Sequence, residues 1–220
     1  MTIYKIHDLS FSYKKSKQIF RNTNLELESN KITLLSGANG SGKTTFCRLL
    51  SGLQKGFKGS ILLKESDINN LSISEIAKNI VFIKQEPLAN VVASTADEDL
   101  SIWQNKFSSL ETKEIKKLRD KALSRFELQS IKNKPVWELS SGEIKRIGLS
   151  AMLLSYDKYW ILDEPTTNLD EKSVNKFIEI VAQRKREGFG ALIVSQRIEK
   201  FKSLVDSRLH IENKKIIIVQ

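Results

Sequence analysis

The chain has 220 residues and a mass of 25.1 kDa, of which 40% are hydrophobic and 28% charged, as in a soluble globular protein with one large domain or one domain plus an inserted subdomain. No apolar run approaches the roughly 18 residues of a membrane helix, which excludes a spanning segment. The net charge of +10 would suit a solvated face, an anionic membrane surface or nucleic acid, but no aromatic residues interleave the lysines to stack bases, so nucleic acid is not expected as a partner.

The first third of the sequence predicts strands, a Gly-rich loop and a helix. Residues 4–13 and 24–35 alternate apolar and polar positions, which predicts antiparallel strands joined by a polar turn at 14–22, rather than a signal peptide. The strand ITLLS (32–36) runs into the Gly-rich segment and then a helix at 44–53. Cys47 falls on the apolar side of that helix, so packing is favoured over a redox role. A single cysteine agrees with a reducing compartment.

The middle and the end of the chain alternate strands with helices. We predict a short strand pair at 59–68, a buried strand at 79–87 and amphipathic helices over 90–135, the latter from the near-helical spacing of Leu110, Ile115, Leu118, Ala122, Leu123 and Phe126. A buried helix at 139–155, a strand at 158–163 and a helix at 174–188 with Gly188 as its cap follow. The strand at 191–195 and a hairpin at 208–220 complete the chain.

A P-loop pattern lies between the strand at 32–36 and the following helix. The segment Gly37-Ala-Asn-Gly-Ser-Gly-Lys43-Thr44 fits GxxxxGK[ST] in the strand-loop-helix context that the pattern requires. Its glycines let backbone N–H groups surround phosphate oxygens, Lys43 would bridge the terminal phosphates, and the Thr44 hydroxyl would bind magnesium. A chance match in a tight turn is the alternative interpretation.

Two carboxylates follow the apolar strand at 159–162. Asp163 would hold magnesium, directly or through water, and Glu164 would orient and polarise the attacking water. The alternative is that both residues merely cap the next helix. An acidic pair behind a buried strand is costly without a charge partner, which favours the chemical role.

A second anion-binding helix start is predicted at Leu139-Ser-Ser-Gly-Glu143. Ser140 and the amides around Gly142 would form it, although the pentapeptide by itself is also a good capping sequence. With the P-loop and Asp163-Glu164, in this order, it resembles the signature motif of ABC ATPases. The resemblance covers nearly the whole chain.

The resemblance implies an α/β fold with a P-loop NTPase core, an antiparallel β subdomain and a helical insertion. It implies one ABC ATPase domain over 1–220, divided into the antiparallel β subdomain (1–35), the P-loop core (36–89), the helical subdomain with the signature (about 90–145) and the rest of the core (146–220).

Site roles follow from the same resemblance. Tyr13 matches the aromatic that stacks on adenine, Gln85 the Q-loop residue that joins Thr44 and Asp163 at the metal, and Asn168 to Asp170 the D-loop. The implied nucleotide-binding residues are Tyr13, Gly37, Ala38, Asn39, Gly40, Ser41, Gly42, Lys43, Thr44 and Thr45. In that family two ATPase domains face head to tail, so Ser140, Ser141, Gly142 and Glu143 would contact the ATP of a second ABC ATPase subunit.

The segment from Lys84 to Thr95, with Ala-Asp-Glu-Asp-Leu after it, looks like that of energy-coupling-factor transporter ATPases, the cobalt, nickel and vitamin importers. Those commonly carry a glutamine a few residues after the proline, where this chain has Asn90. The likeness implies an integral membrane transport component contacted near Gln85 to Asp99. A plain linker into the helical subdomain is the alternative for residues 87–100.

Two departures from the family pattern concern catalysis. Gln196 stands where a histidine usually contacts the γ-phosphate, and a glutamine donates a hydrogen bond but carries no charge. His7 and His210 are predicted in strands elsewhere, too far to substitute. Ser141 replaces a glycine and Glu143 a frequent glutamine. These changes suggest unequal composite sites and a different ATPase as partner, with a homodimer as the alternative.

The sequence therefore predicts an ATP- and Mg²⁺-dependent ATPase, peripheral on the cytoplasmic face of the membrane, that energises an importer. An exporter or lipid-handling complex shares every motif and is the second hypothesis. A non-transport ABC ATPase acting on nucleic acid or the ribosome is disfavoured, because the sequence has neither a long coiled coil between the Walker motifs nor a second cassette.

Overall fold

The chain divides into two units in a computed structural model that describes residues 1–14, 18–104 and 112–219. The first unit comprises Met1–Phe82, Lys158–Glu164 and Val181–Gln220. The second comprises Ile83–Asp157 and Pro165–Ile180. None of the helices in the described ranges is long and apolar enough to cross a membrane.

An antiparallel sheet in the first unit contains β1 (Thr2–Ser12), β2 (Gln18–Glu28), β4 (Lys58–Leu63) and β5 (Ser66–Asp67), in the order β2-β1-β4-β5. Both predicted antiparallel pairs are present, but the strand predicted over 24–35 is wrong at both ends. Residues 18–22 belong to β2 rather than to the predicted turn, of which 15–17 lie outside the described residues, and residues 32–35 belong to a strand of the other sheet. In β1, Tyr4 and Ile6 are buried before a register shift and Leu9 and Phe11 after it. Asp8, with φ 49°, lies at that bulge, which moves the buried positions from even to odd numbers.

A six-stranded sheet has the order β10-β9-β3-β8-β7-β6. Its strands are β3 (Ile32–Gly37), β6 (Ile80–Ile83), β7 (Tyr159–Asp163), β8 (Ala191–Val194), β9 (Ser207–Glu212) and β10 (Lys215–Val219). β3 pairs in parallel with both β8 and β9, and β7 pairs in parallel with β8, whereas β10 returns antiparallel to β9. Every residue of β7 and β8 is buried, as expected of central parallel strands, so functional groups can lie only beyond their ends.

Two helices of the first unit contact β3 of this sheet. α1 (Lys43–Leu50) packs against β3 and β7, and α2 (Ile73–Ala77) and α7 (Ile198–Phe201) are short. α6 (Glu171–Arg186), which runs from the second unit into the first, begins before the predicted Val174 and ends two residues before Gly188, whose φ of 79° supports its predicted capping role. In its last turn Arg184 is fully buried, donates to the Gly190 carbonyl, and places its guanidinium 3.8 Å from the Trp160 ring centroid.

The second unit is helical and centred on α5 (Ser141–Leu153), which packs against α3 (Ala96–Gln104), α4 (Thr112–Arg125) and a 3-10 helix at Pro87–Asn90. Ala122, Leu123 and Phe126 are buried as predicted, whereas Leu118 is exposed. Leu110 and the side chain of Ile115 lie outside the described residues. The predicted α/β architecture with an antiparallel sheet and a helical insertion is confirmed.

Candidate functional site

The P-loop connects β3 to α1 in a conformation that requires glycine. Gly37, Gly40 and Gly42 have φ angles of 151°, 73° and 114°. A Cβ on Gly42 would lie 2.5 Å from Ile19 Cγ2, so a side chain there would collide as well as strain the backbone. The loop can therefore turn successive N–H groups toward an anion at the start of α1.

The Lys43 side chain folds back over this loop. Its Nζ donates to the carbonyl oxygens of Gly37 (2.8 Å) and Ala38 (3.1 Å), and the residue is only 8% exposed. Thr44, next in the helix, is exposed. The ammonium is thus held at the loop, where an incoming phosphate can replace the two carbonyl oxygens as its acceptor.

Tyr13 is anchored beside the P-loop helix. Its hydroxyl lies 3.1 Å from Thr45 Oγ1, and its ring packs edge-on against Phe11 with 5.0 Å between centroids. The residue remains 38% exposed. A ring fixed at its hydroxyl and one edge, with surface still open, suits stacking of a planar base.

The two carboxylates lie where β7 leaves the sheet. Asp163 and Glu164 are 1% and 8% exposed, and Glu164 has a φ of 47°, a conformation that costs a non-glycine residue of order 1–3 kcal/mol. The Glu164 N–H donates to the Val194 carbonyl at 2.9 Å, which holds this turn. Burial raises the pKa of the Cys47 thiol in α1, and the nearby Asp163 charge raises it further. Asp163 therefore lies close to the P-loop helix.

Gln196 joins the P-loop to Glu164. Its backbone N–H donates to Glu164 Oε1 at 3.1 Å, and its side-chain amide donates to Asn39 Oδ1 of the P-loop. Both bonds form because β8 lies between β3 and β7, so the three strand ends meet at one edge of the sheet. The structure thus brings the two predicted catalytic residues, Glu164 and Gln196, together with Asn39, which was predicted to bind nucleotide.

The donors predicted for magnesium fall into different units. The Thr44 hydroxyl and the Asp163 carboxylate lie on α1 and β7, which pack together, and oxygen donors of this kind fit a hard divalent cation completed by phosphate oxygens. Gln85 belongs to the second unit. Its place at the metal stays a prediction.

His210 lies in a strand as predicted, but nearer to the P-loop than expected. β9 pairs in parallel with β3, which sets His210 opposite Ser36, and the His210 Nδ1 lies 2.9 Å from Ser36 Oγ, one residue before Gly37. His210 lines a cavity of about 470 Å³ together with Gln18, Ile19, Ala38, Gly40, Ser41, Ile211, Glu212, Asn213 and Lys214. The pairing of β9 with β3 is not visible in the sequence, so the proximity was missed. His7, in β1, pairs with Ser60 of the antiparallel sheet.

The signature segment, in the second unit, begins α5 with a capping box. Ser140 Oγ accepts from the Glu143 N–H at 3.3 Å, while Glu143 Oε2 accepts from the Ser140 N–H at 2.8 Å. A further bond from the Ser140 hydroxyl, at 2.7 Å, helps to lower the pKa of the Glu143 carboxyl. Glu143 therefore stabilises its own helix start, a role that a glutamine can also fill.

Gly142 packs directly against the predicted D-loop. A Cβ at this position would lie 2.7 Å from the carbonyl oxygen of Asn168, which itself has a φ of 67°. The neighbouring cavity of about 290 Å³ is lined by Ser140, Ser141, Gly142, Glu143, Arg146, Asn168, Leu169, Asp170 and Ser173. Arg146 was missed as a charged member of this site. Its position four residues after Gly142, on the same helix face, was the available signal.

The segment after β6 forms a fixed platform in the second unit. Asp99 is fully buried and its Oδ1 accepts from the N–H groups of Val92 (2.7 Å) and Ala93 (3.3 Å); burial raises the pKa of this carboxyl. Leu88 and Val92 are 56% and 73% exposed. Two apolar side chains are thus presented to solvent from a segment whose backbone is bound by Asp99, which is more typical of an interaction surface than of a plain linker.

Comparison with known proteins gives a consistent result. The sequence profile of the ABC transporter family matches residues 20–167. A putative ABC transporter ATP-binding protein of Pyrococcus horikoshii is 28% identical over 205 residues, which cover 93% of this chain and 78% of that protein. The energy-coupling factor transporter ATP-binding protein EcfA1 of Thermotoga maritima is 29% identical over 208 residues, covering 94% and 78%.

Solved structures agree. The structure of cbiO1 from Clostridium perfringens, part of the ABC transporter complex cbiONQ, superimposes with a TM-score of 0.81 at 26% identity, covering 98% of this chain and 87% of that one. A dimeric ATP-binding cassette in a post-hydrolysis state bound to ADP and Pi gives a TM-score of 0.85 at 21% identity over 99% of both chains, a likeness that supports the fold alone. The predicted ABC ATPase fold is confirmed.

Proposed function

The chain belongs to the ABC transporter family, and from that premise we propose that it is an ATP-hydrolysing subunit that energises an importer of the energy-coupling-factor class. Family membership supports ATP binding and hydrolysis. The observation that carries the catalytic assignment is the bonding of Gln196 to both Asn39 and Glu164, because it joins the P-loop to a buried carboxylate.

Nucleotide binding would use the first unit. Tyr13 stacks on the adenine, and the amides of Gly40 to Thr45 surround the phosphates. Lys43 exchanges its two carbonyl acceptors for oxygens of the terminal phosphates. Thr44 and Asp163 would hold Mg²⁺, which supplies charge neutralisation on the phosphates.

Hydrolysis would use the Glu164 carboxylate. A water held by Glu164 attacks the γ-phosphorus, the bond to the β,γ-bridging oxygen breaks, and ADP leaves with that bond's electrons while Glu164 takes the water's proton. The Gln196 side-chain amide donates to a γ-phosphate oxygen after releasing Asn39. Because Glu164 is buried and its turn is fixed by Val194, little reorganisation is needed at the reaction.

The signature segment would act on the ATP of a second subunit. Ser140 and the amides at the start of α5 supply donors there, and Arg146 adds positive charge to the same cavity. ATP contacted from both subunits favours the closed dimer, and loss of the γ-phosphate releases it. Ser141 and Gln196, which depart from the family pattern, favour a pair of unequal ATPase subunits.

The membrane partner would dock on the platform that displays Leu88 and Val92. The likeness to EcfA1 and to cbiO1 supports an importer-type component there, and the chain would lie peripherally on the cytoplasmic face. Replacing Leu88 and Val92 by aspartate should abolish co-purification with that membrane component and leave ATP affinity within about twofold, because the P-loop lies in the other unit. Co-purification at the wild-type level would contradict the docking assignment.

The first test of the function is ATP hydrolysis by the purified chain, with oligomeric state followed by light scattering in the same samples. We expect tight ATP binding and slow turnover without an ATP-dependent dimer, because the proposed pair needs a different ATPase subunit. Absence of both binding and turnover would contradict the proposed function. Turnover as fast as in complete family members would instead contradict the unequal pair.

Replacing Gln196 by histidine should raise kcat at least about threefold, because an imidazole can carry positive charge to the γ-phosphate while the backbone N–H keeps its bond to Glu164. Gln196→Ala is the matched control and should lower kcat, since it removes the amide donor. The measurement is steady-state phosphate release at saturating ATP. A kcat in Gln196→His no higher than in the wild type would show that the missing imidazole does not limit hydrolysis.

A further inference from the structure

A buried lysine in α5 binds the backbone next to Gln85. Lys145 is fully buried, and its Nζ donates to the carbonyl oxygens of Lys84 (3.0 Å) and Gln85 (3.1 Å). All three residues belong to the second unit, although about sixty positions separate them in the sequence. The Q-loop backbone is thus bonded to the helix that begins with the signature.

The chemistry of this contact favours a fixed arrangement. Burying an ammonium group is unfavourable unless acceptors replace its water, and the two carbonyl oxygens do so here. Bonds with a charged donor are stronger than those between neutral groups, so this contact resists separation of the two segments.

Asn90 forms a second contact between this segment and α5, one helical turn beyond Lys145. Its Oδ1 accepts from the Lys84 N–H at 2.7 Å, and its Nδ2 donates to the carbonyls of Lys84 (3.0 Å) and Glu86 (2.9 Å). The same side chain packs on Gly148, where an added Cβ would lie 2.9 Å from Asn90 Cβ. Lys145 and Gly148 are three residues apart and so share one face of the helix.

We propose that Lys145 and Asn90 are positioning residues that make the Gln85 segment and the signature helix move as one body. Neither residue contacts nucleotide in this assignment. A displacement of residues 84–92 by the membrane partner would be transmitted through α5 to Ser140. A displacement of Ser140 would be transmitted through α5 to residues 84–92. The inference rests on the proposed ATPase function, but the bonds that carry it can be tested without turnover.

Hydrogen exchange of the nucleotide-free chain tests the contact between residues 84–92 and α5. In Lys145→Met the amides of Lys84, Ala89 and Val91 should exchange about tenfold faster than in the wild type, because the segment loses its contact with α5. Lys121→Met, which removes an exposed lysine of α4, is the matched control and should match the wild type. Unchanged exchange in Lys145→Met, or equal acceleration throughout α3 and α4, would overturn the proposal.

A double-mutant cycle tests the consequence for hydrolysis. Lys145→Met should lower kcat per nucleotide-binding site about tenfold, with KM for ATP within about twofold of the wild-type value. The double variant with Gln85→Ala should have a kcat close to that of the slower single variant. The proposal would be overturned if the fold-decrease of kcat in the double variant equalled the product of the two single decreases, or if Lys145→Met kept the wild-type kcat. If the wild type neither binds nor hydrolyses ATP, the proposed function fails. The exchange experiment would still test the contact between residues 84–92 and α5.

Gly148→Ala provides a variant that keeps the lysine. Alanine favours the helix, yet its Cβ must push Asn90 and the Q-loop away from α5. We expect the same lowered kcat, unchanged KM and faster exchange of residues 84–91, without loss of helix content. Wild-type values for all three measurements would overturn the role given to Asn90.

Discussion

Replacing Lys43 by alanine should lower ATP affinity by about 10- to 100-fold, because hydrogen bonds to charged groups contribute about 1.5–3 kcal/mol each. The ammonium is held by the Gly37 and Ala38 carbonyls at the P-loop, where the phosphates would lie. Equilibrium titration with a fluorescent ATP analogue would measure the change.

The matched control is Lys58→Ala, which removes an exposed lysine from β4 in the same unit and should leave ATP affinity unchanged. The melting temperature of each variant would separate lost binding from lost folding. An affinity within about threefold of the wild type in folded Lys43→Ala would refute the P-loop assignment.

Replacing Glu164 by glutamine should lower kcat by about 10²- to 10⁴-fold while ATP binding is retained, since the amide cannot accept the water's proton. The geometry should survive, because the glutamine oxygen can still accept from the Gln196 N–H and the turn keeps its bond to Val194. Size-exclusion chromatography should then recover the variant with unhydrolysed ATP bound.

The control for this substitution is Glu187→Gln, at the end of α6, where the lost charge should not affect turnover. Unchanged hydrolysis in Glu164→Gln would remove Glu164 from the catalytic role. Loss of ATP binding in that variant would instead indicate that the buried carboxylate organises the P-loop.

The local patterns of the sequence were sufficient to predict most of the fold. Alternation located β1 and β2, apolar runs located β3, β7 and β8, and the glycines located the P-loop, because each signal lies within a few consecutive residues. The boundaries of the elements were predicted less accurately. The stretch 24–35 is interrupted by a turn at 29–31 between β2 and β3, since three polar residues suffice to reverse the chain.

Contacts between distant segments were not predictable in this way. The neighbourhood of His210 depends on which strand lies beside β3, and the bond from Lys145 to Gln85 depends on how α5 packs. Gly142 was assigned to a partner's phosphates, whereas its closest constraint within the chain is the Asn168 carbonyl. Such features require the tertiary structure, because the participating residues carry no local pattern.

The buried thiol of Cys47 has a practical consequence. The sequence contains one cysteine, and burial, reinforced by the Asp163 charge, raises its pKa, so that little thiolate forms and reagents have no access to it. The wild-type chain is therefore a ready background for single-site labelling. A cysteine introduced at exposed Val92 or Ser141 would take a spin label selectively, and its distance to a label on the second ATPase subunit would then report how the two subunits face each other.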